Sequence, residues 1–135
     1  MTVIASRPLA DSTDSLLRFA IRADATLTGL AGLAIAFAAD PIAHLTGLTA
    51  TEGYVLGVLC ALFGLAVFTV AAIPDLRRAG PLLIADNALC TVAAVAVVQT
   101  GVLPLTGAGV ALVLTLGAAT AGFALLQYAG LRRLP

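Results

Sequence analysis

The chain has 135 residues, of which 61% are hydrophobic and only 10% charged, and its seven basic residues are balanced by seven acidic ones. A mean hydropathy of +1.09, with charge far below the roughly 25% of a soluble domain, excludes a water-soluble globule, and the lack of a basic excess leaves no electrostatic footprint for nucleic acid. Long runs rich in Ala and Leu, without the period of two that a barrel strand requires, indicate helices.

Residues Met1 to Asp14 contain no apolar stretch of the signal-peptide kind and read as a short cytoplasmic tail. Asp11, Ser12 and Asp14 supply N-cap chemistry for the helix that follows, and Asp14 and Arg18, one turn apart, form an exposed pair. A first span is predicted over Leu16 to Ala39, ending at Asp40-Pro41, where proline disfavours helix at the residue before it. Ile42 to Gly53 is too short and polar to cross, and its Ile42, Leu45 and Leu48 are placed at the outer interface beside His44, a tolerated interfacial histidine. A second span runs from Tyr54 to Ile73 and stops at Pro74-Asp75. The compact turn through Arg77 and Arg78 leads into a third span, Leu82 to Gln99, and Thr100 to Thr106 leads into a fourth, Gly107 to Tyr128. Each is close to the roughly 20 residues that cross a hydrocarbon core.

All seven basic residues are arginines, at positions 7, 18, 22, 77, 78, 132 and 133. If arginine marks the cytoplasm, both termini and the middle connection face inward and the other two connections outward. The expectation is an all-α, single-domain, four-transmembrane-helix antiparallel bundle over residues 1–135, N-in and C-in. Short connections set the second span beside the third and the third beside the fourth. Small residues mark close approach: Ala25, Gly29, Gly32 and Ala36 in the first span, Gly53, Gly57 and Gly64 before and within the second, Gly117, Ala118, Ala121 and Gly122 in the fourth. Cys60 and Cys90 sit at different depths, which argues against a disulfide, and read as small core residues.

Polar groups inside apolar spans need partners. Arg22, Asp24, Asp86, Asn87, Gln127 and Tyr128 fall in one layer near the arginine-rich side. Arg22 and Asp24 are about 200° apart on their helix and cannot pair directly. The expected arrangement is an Arg22–Asp86 bridge completed by Asn87 or Gln127, with Asp24 closed by Tyr128 or Arg132. Such a layer serves either as a hydrogen-bonded lock between helices or as a small vestibule opening to the cytoplasm, with Asp86 as its titrating group. The chain shows no nucleophile–base pair, metal motif or phosphate loop, so no catalytic, cofactor or metal residues are assigned and an enzyme is not expected.

The segments LLRFAIRADA from Leu16, IADNALCTVAAV from Ile84 and LLQYAGLRR from Leu125 resemble a group of small bacterial four-helix integral membrane proteins. The resemblance covers nearly the whole chain and draws weight to Arg22, Asp24, Asn87, Gln127 and Tyr128. In size and helix count the layout also looks like the DoxX-like class, some members of which are linked to quinone-dependent sulfur oxidation. No motif here carries that chemistry over.

The leading expectation is a non-enzymatic protein of the bacterial inner membrane that works by packing, as a homo-oligomer or a small accessory subunit, its partners being the lipid bilayer, further copies or other membrane subunits. A minimal dimeric transporter or channel for a proton, ion or amphiphile is the alternative; its route would have to pass an apolar outer half offering only scattered threonines such as Thr91 and Thr115. A lipid or quinone pocket is the third, requiring a gap between helices lined by Leu and by Phe63, Phe68 and Phe123.

Overall fold

A computed structural model of the chain describes residues 13–135. Arg7, Asp11 and Ser12 lie outside the described residues. Five helices follow in order: α1 (Ser15–Phe37), α2 (Ala39–Thr46), α3 (Ala50–Val70), α4 (Ala79–Thr100) and α5 (Gly107–Leu131). All but α2 are long and apolar enough to cross a membrane, so the four-span all-helical bundle stands.

The boundaries are set by local chemistry. Asp14 occupies the N-cap position of α1, but its carboxylate takes Arg18 Nη2 at 2.5 Å rather than capping the helix. Asp40-Pro41 does not end the first helix as expected. The break comes at Ala38, and Pro41 falls in the first turn of α2, where a missing N–H is harmless because that donor has no intrahelical acceptor. The interfacial segment thus contains a helix of its own, closed by Gly47 in the left-handed region at φ 85°. Thr49 and Glu52 form a capping box, Thr49 Oγ1 accepting from Glu52 N–H at 3.2 Å and Glu52 Oε2 accepting from Thr49 N–H at 2.8 Å. It starts α3 four residues before the expected Tyr54.

The small-residue stripes do what their spacing implies. Gly29 of α1 lies against Gly64 of α3, Gly32 against Gly57 and Ala61, and Ala36 against Gly57, in antiparallel register. A Cβ on Gly57 would stand 2.5 Å from Ala36 N, and one on Gly64 2.6 Å from Gly29 N. In α5, Gly117 packs on Ala94 of α4, while Gly122 meets nothing within 4 Å among the described residues, so only part of the fourth-span stripe is a contact.

Packing order departs from chain order. The extensive contacts join α1 to α3, α1 to α5, and α4 to α5. The short connection between α3 and α4 was expected to make them neighbours, yet they have no extensive contact. A tight turn fixes only the ends of two helices; glycine-mediated approach of α1 claims the packing face of α3 instead. The row therefore runs α3, α1, α5, α4, with its two end members parted.

The bundle is tied at both of its ends along the helix axes. At the end bearing Arg18, Arg77 and Arg132, Leu17, Ile21, Ala25, Val67, Ala71 and Leu76 form the buried core, with Leu83, Leu131 and Leu134 packed around it. Arg18 Nη1 donates to the Ala71 and Ile73 carbonyls beyond the last turn of α3, where a cation also meets the negative end of the helix dipole. At the other end, Thr106 N–H donates to the Thr46 carbonyl at 2.9 Å and Thr106 Oγ1 to the Leu45 carbonyl, docking α2 on the start of α5. Gly47 and Gly109 make room for that contact against Pro104 and Thr46.

Candidate functional site

The separation of α3 from α4 leaves a cleft of about 510 Å³ in front of α1 and α5. Leu27, Ala31 and Ile35 of α1, Leu56, Leu59 and Phe63 of α3, and Leu116, Ala119 and Phe123 of α5 form apolar walls. Leu59 is 59% and Phe63 42% exposed, so the cleft is open along its side rather than sealed. From Asp24 to Ile35 it runs eleven residues along α1, about 16 Å at the rise of an α-helix.

Its floor is polar. Asp24 of α1 and Asn87 of α4 line it and are buried, and Gln127 of α5, completely buried, stands behind them. Asn87 Nδ2 donates to Asp24 Oδ2 at 2.6 Å and to Gln127 Oε1 at 3.2 Å. Gln127 Nε2 donates to the same Asp24 oxygen at 2.8 Å, and Thr28 Oγ1, one turn along α1, donates to Asp24 Oδ1 at 3.1 Å. Three helices meet on one carboxylate. One turn further along α4, the Thr91 hydroxyl stands 3.0 Å from the Asn87 carbonyl and 3.1 Å from the Gly117 carbonyl, alternative acceptors for its one proton, and 2.8 Å from Thr120 Oγ1.

No match to this chain is found among family models, curated proteins or solved structures. The resemblance draws weight to five residues, of which Asp24 and Asn87 line the cleft and the completely buried Gln127 is hydrogen-bonded to both.

Asp86 also lines the cleft, half-buried, beside Asn87 on α4. Arg22 is exposed and makes no ion pair among the described residues, where the one salt bridge joins Arg18 to Asp14. The expected Arg22–Asp86 bridge is absent. Once Asp24 faces inward, a residue two positions away must point roughly opposite, and a guanidinium can reach the interface without giving up its water. Nor do Tyr128 or Arg132 close Asp24: Tyr128 is 51% exposed, and the Arg132 guanidinium lies 5.9 Å from its ring centroid. The cluster is not an open vestibule toward the arginine-bearing end, because Ile21 and Leu17, one and two turns before Asp24 on α1, are completely buried there against Leu76.

Phe63 and Phe123 stand in the cleft wall, but Phe68 does not. Cys60 and Cys90 are free, and both line the cleft rather than a core. Sequence reasoning passed over Arg18 as a tie to α3, and Thr28 and Thr120 as members of the network. The i,i+4 spacing of Thr28 from Asp24, and of Thr91 from Asn87, was the available signal.

Proposed function

We propose that this chain is a non-enzymatic protein of a bacterial inner membrane that takes the apolar tail of a membrane amphiphile into the cleft between α3 and α4. The observation that carries this reading is the cleft itself: about 510 Å³ lies within the roughly 300–1,000 Å³ of small-molecule sites, and apolar walls with a few convergent polar groups are the usual make-up of such a site. The arginine-bearing end is placed in the cytoplasm, which puts the polar floor in the inner half of the bilayer and the apolar length of the cleft above it.

Two measurements test the reading. A phospholipid with a photoactivatable acyl chain, in nanodiscs, should label Leu59, Phe63, Leu116 and Phe123 several-fold more than the outward Leu62, Leu89 and Leu125, with the labelled residues located one by one from fragment masses. Uniform labelling of exposed leucines would mean that the cleft is merely lipid-facing surface. For orientation, a single cysteine replacing Arg78 in a Cys60→Ala, Cys90→Ala background should resist an impermeant maleimide added outside intact cells. Labelling from outside would reverse the topology.

Association of copies, or docking on a larger subunit, is a second reading supported by α4. Of its 22 residues only Gly80 and Asn87 are buried, and one flank lacks a helical neighbour among the described residues. A partner helix laid along that flank would close the cleft from the side.

A further inference from the structure

We infer that the amphiphile accepted by the cleft is a cation, a single apolar tail carrying an amine-type head that donates N–H bonds, with the head held by Asp86 and Asn87 and the Asp24 charge beneath. The inference rests on the amphiphile reading above and adds the chemistry of the head.

The donor and acceptor inventory of the floor leads there. Among the described residues no Arg, Lys or His lines the cleft, whereas two carboxyl groups, Asp24 and Asp86, do. Every strong side-chain donor that lines it is already committed within the protein. Both hydrogens of Asn87 Nδ2 go to Asp24 and Gln127, the Thr28 hydroxyl goes to Asp24, and the Thr120 hydroxyl to the Gly117 carbonyl or Thr91. Acceptors are left over. Asn87 is 4% exposed and its Oδ1 receives no hydrogen bond among the described residues; the Asp86 carboxyl receives none either. A floor that offers acceptors and negative charge but no free donor complements a group that is all donor and positive, as an ammonium is. An anionic head meets two carboxyl groups and no counter-charge, and a hydroxyl head satisfies one acceptor without answering the charge. The apolar walls exclude a bare hydrated ion as the natural occupant, since they would strip its water without replacing it.

The chain's only two cysteines both stand in the wall, so occupancy is readable without altering the protein. The wild-type chain in phosphatidylcholine nanodiscs is treated with N-ethylmaleimide while decylammonium, decanol or decanoate is titrated in, and modification of Cys60 and Cys90 is followed by mass. Decylammonium should protect at a concentration at least tenfold below the other two. In Asp86→Asn, checked for assembly by gel filtration, that advantage should fall to threefold or less. Equal protection by the three probes in wild type overturns the cationic head while leaving tail binding intact, and absence of protection by any of them overturns both. An unchanged preference in Asp86→Asn removes Asp86 from the site and with it the inference. If that variant does not assemble, Asp86→Ser, which also removes the charge, takes its place.

Discussion

Gly57→Val should prevent the bundle from holding together, with a loss of about 3 kcal/mol or more, at the upper end of overpacking effects. The new side chain would have to begin 2.5 Å from Ala36 N and 2.6 Å from the Gly32 carbonyl oxygen, both backbone atoms that no rotamer change can move aside. The only relief is to push α1 away from α3, and that forfeits the dispersion contacts on which helix pairing in lipid depends. Gly64→Val should behave alike, because its Cβ meets Gly29 N at 2.6 Å and the Ala25 carbonyl oxygen at 2.7 Å. Gly122→Val is the control: with no described residue within 4 Å of its Cβ, it should stay within about 0.5 kcal/mol of wild type. Reversible unfolding in mixed micelles measures all three. A Gly57→Val chain as stable as Gly122→Val would show that α1 and α3 do not meet through their glycines.

Asp24→Ala should lower stability by about 2–4 kcal/mol, while Arg22→Ala changes it by no more than about 0.5 kcal/mol. Removing Asp24 leaves Asn87 Nδ2 one acceptor short and Gln127 Nε2 with none, in a site where the two residues are 4% and 0% exposed, and each buried group left unsatisfied costs about 1–3 kcal/mol. Arg22 is exposed and holds no partner among the described residues, the usual condition of a near-neutral substitution. A double-mutant cycle between Asp24 and Gln127 should return a coupling between about 0.6 kcal/mol, the average for hydrogen bonds between helices in a membrane, and the maximum of about 1.7 kcal/mol. Pairing by charge alone puts the larger loss on Arg22. A strong effect of Arg22→Ala with additive losses at Asp24 and Gln127 would restore that pairing and dissolve the cluster described here.

Much of the fold was legible because the bilayer imposes it. Span length, helical state and the number of crossings follow from apolar run length, and the Gly57 and Gly64 contacts follow from spacing that only a close helix pair requires. The order of helices was not legible. Connection length speaks of which ends are near, whereas the parting of α3 from α4 depends on which faces α1 and α5 occupy, a property of four segments together. The same limit governed the site. Depth alone grouped Asp24, Asn87 and Gln127, which hydrogen bonds join, but it also admitted Arg22 and Tyr128, whose angular positions turn them away from that cluster. The cleft had a faint signal in Phe63 and Phe123; its breadth comes from helix order and could not be read from any one segment.

The hydrogen bond from Gln127 to Asp24 spans 103 residues of sequence, which sets a condition on biogenesis. The first helix enters the bilayer carrying a carboxyl group whose partners, Asn87 and Gln127, have not yet been synthesised. At roughly 5–20 residues per second, the ribosome needs about 5–20 s to supply the last of them. Until then α1 lacks the contacts that offset its acid, whose insertion is unfavourable by up to about 3 kcal/mol near the helix centre and less toward the interface. The nascent chain therefore depends on the insertion machinery to shelter its first span until the fifth helix emerges. A polypeptide truncated before α5 should be recognised by membrane quality control as an orphan and degraded.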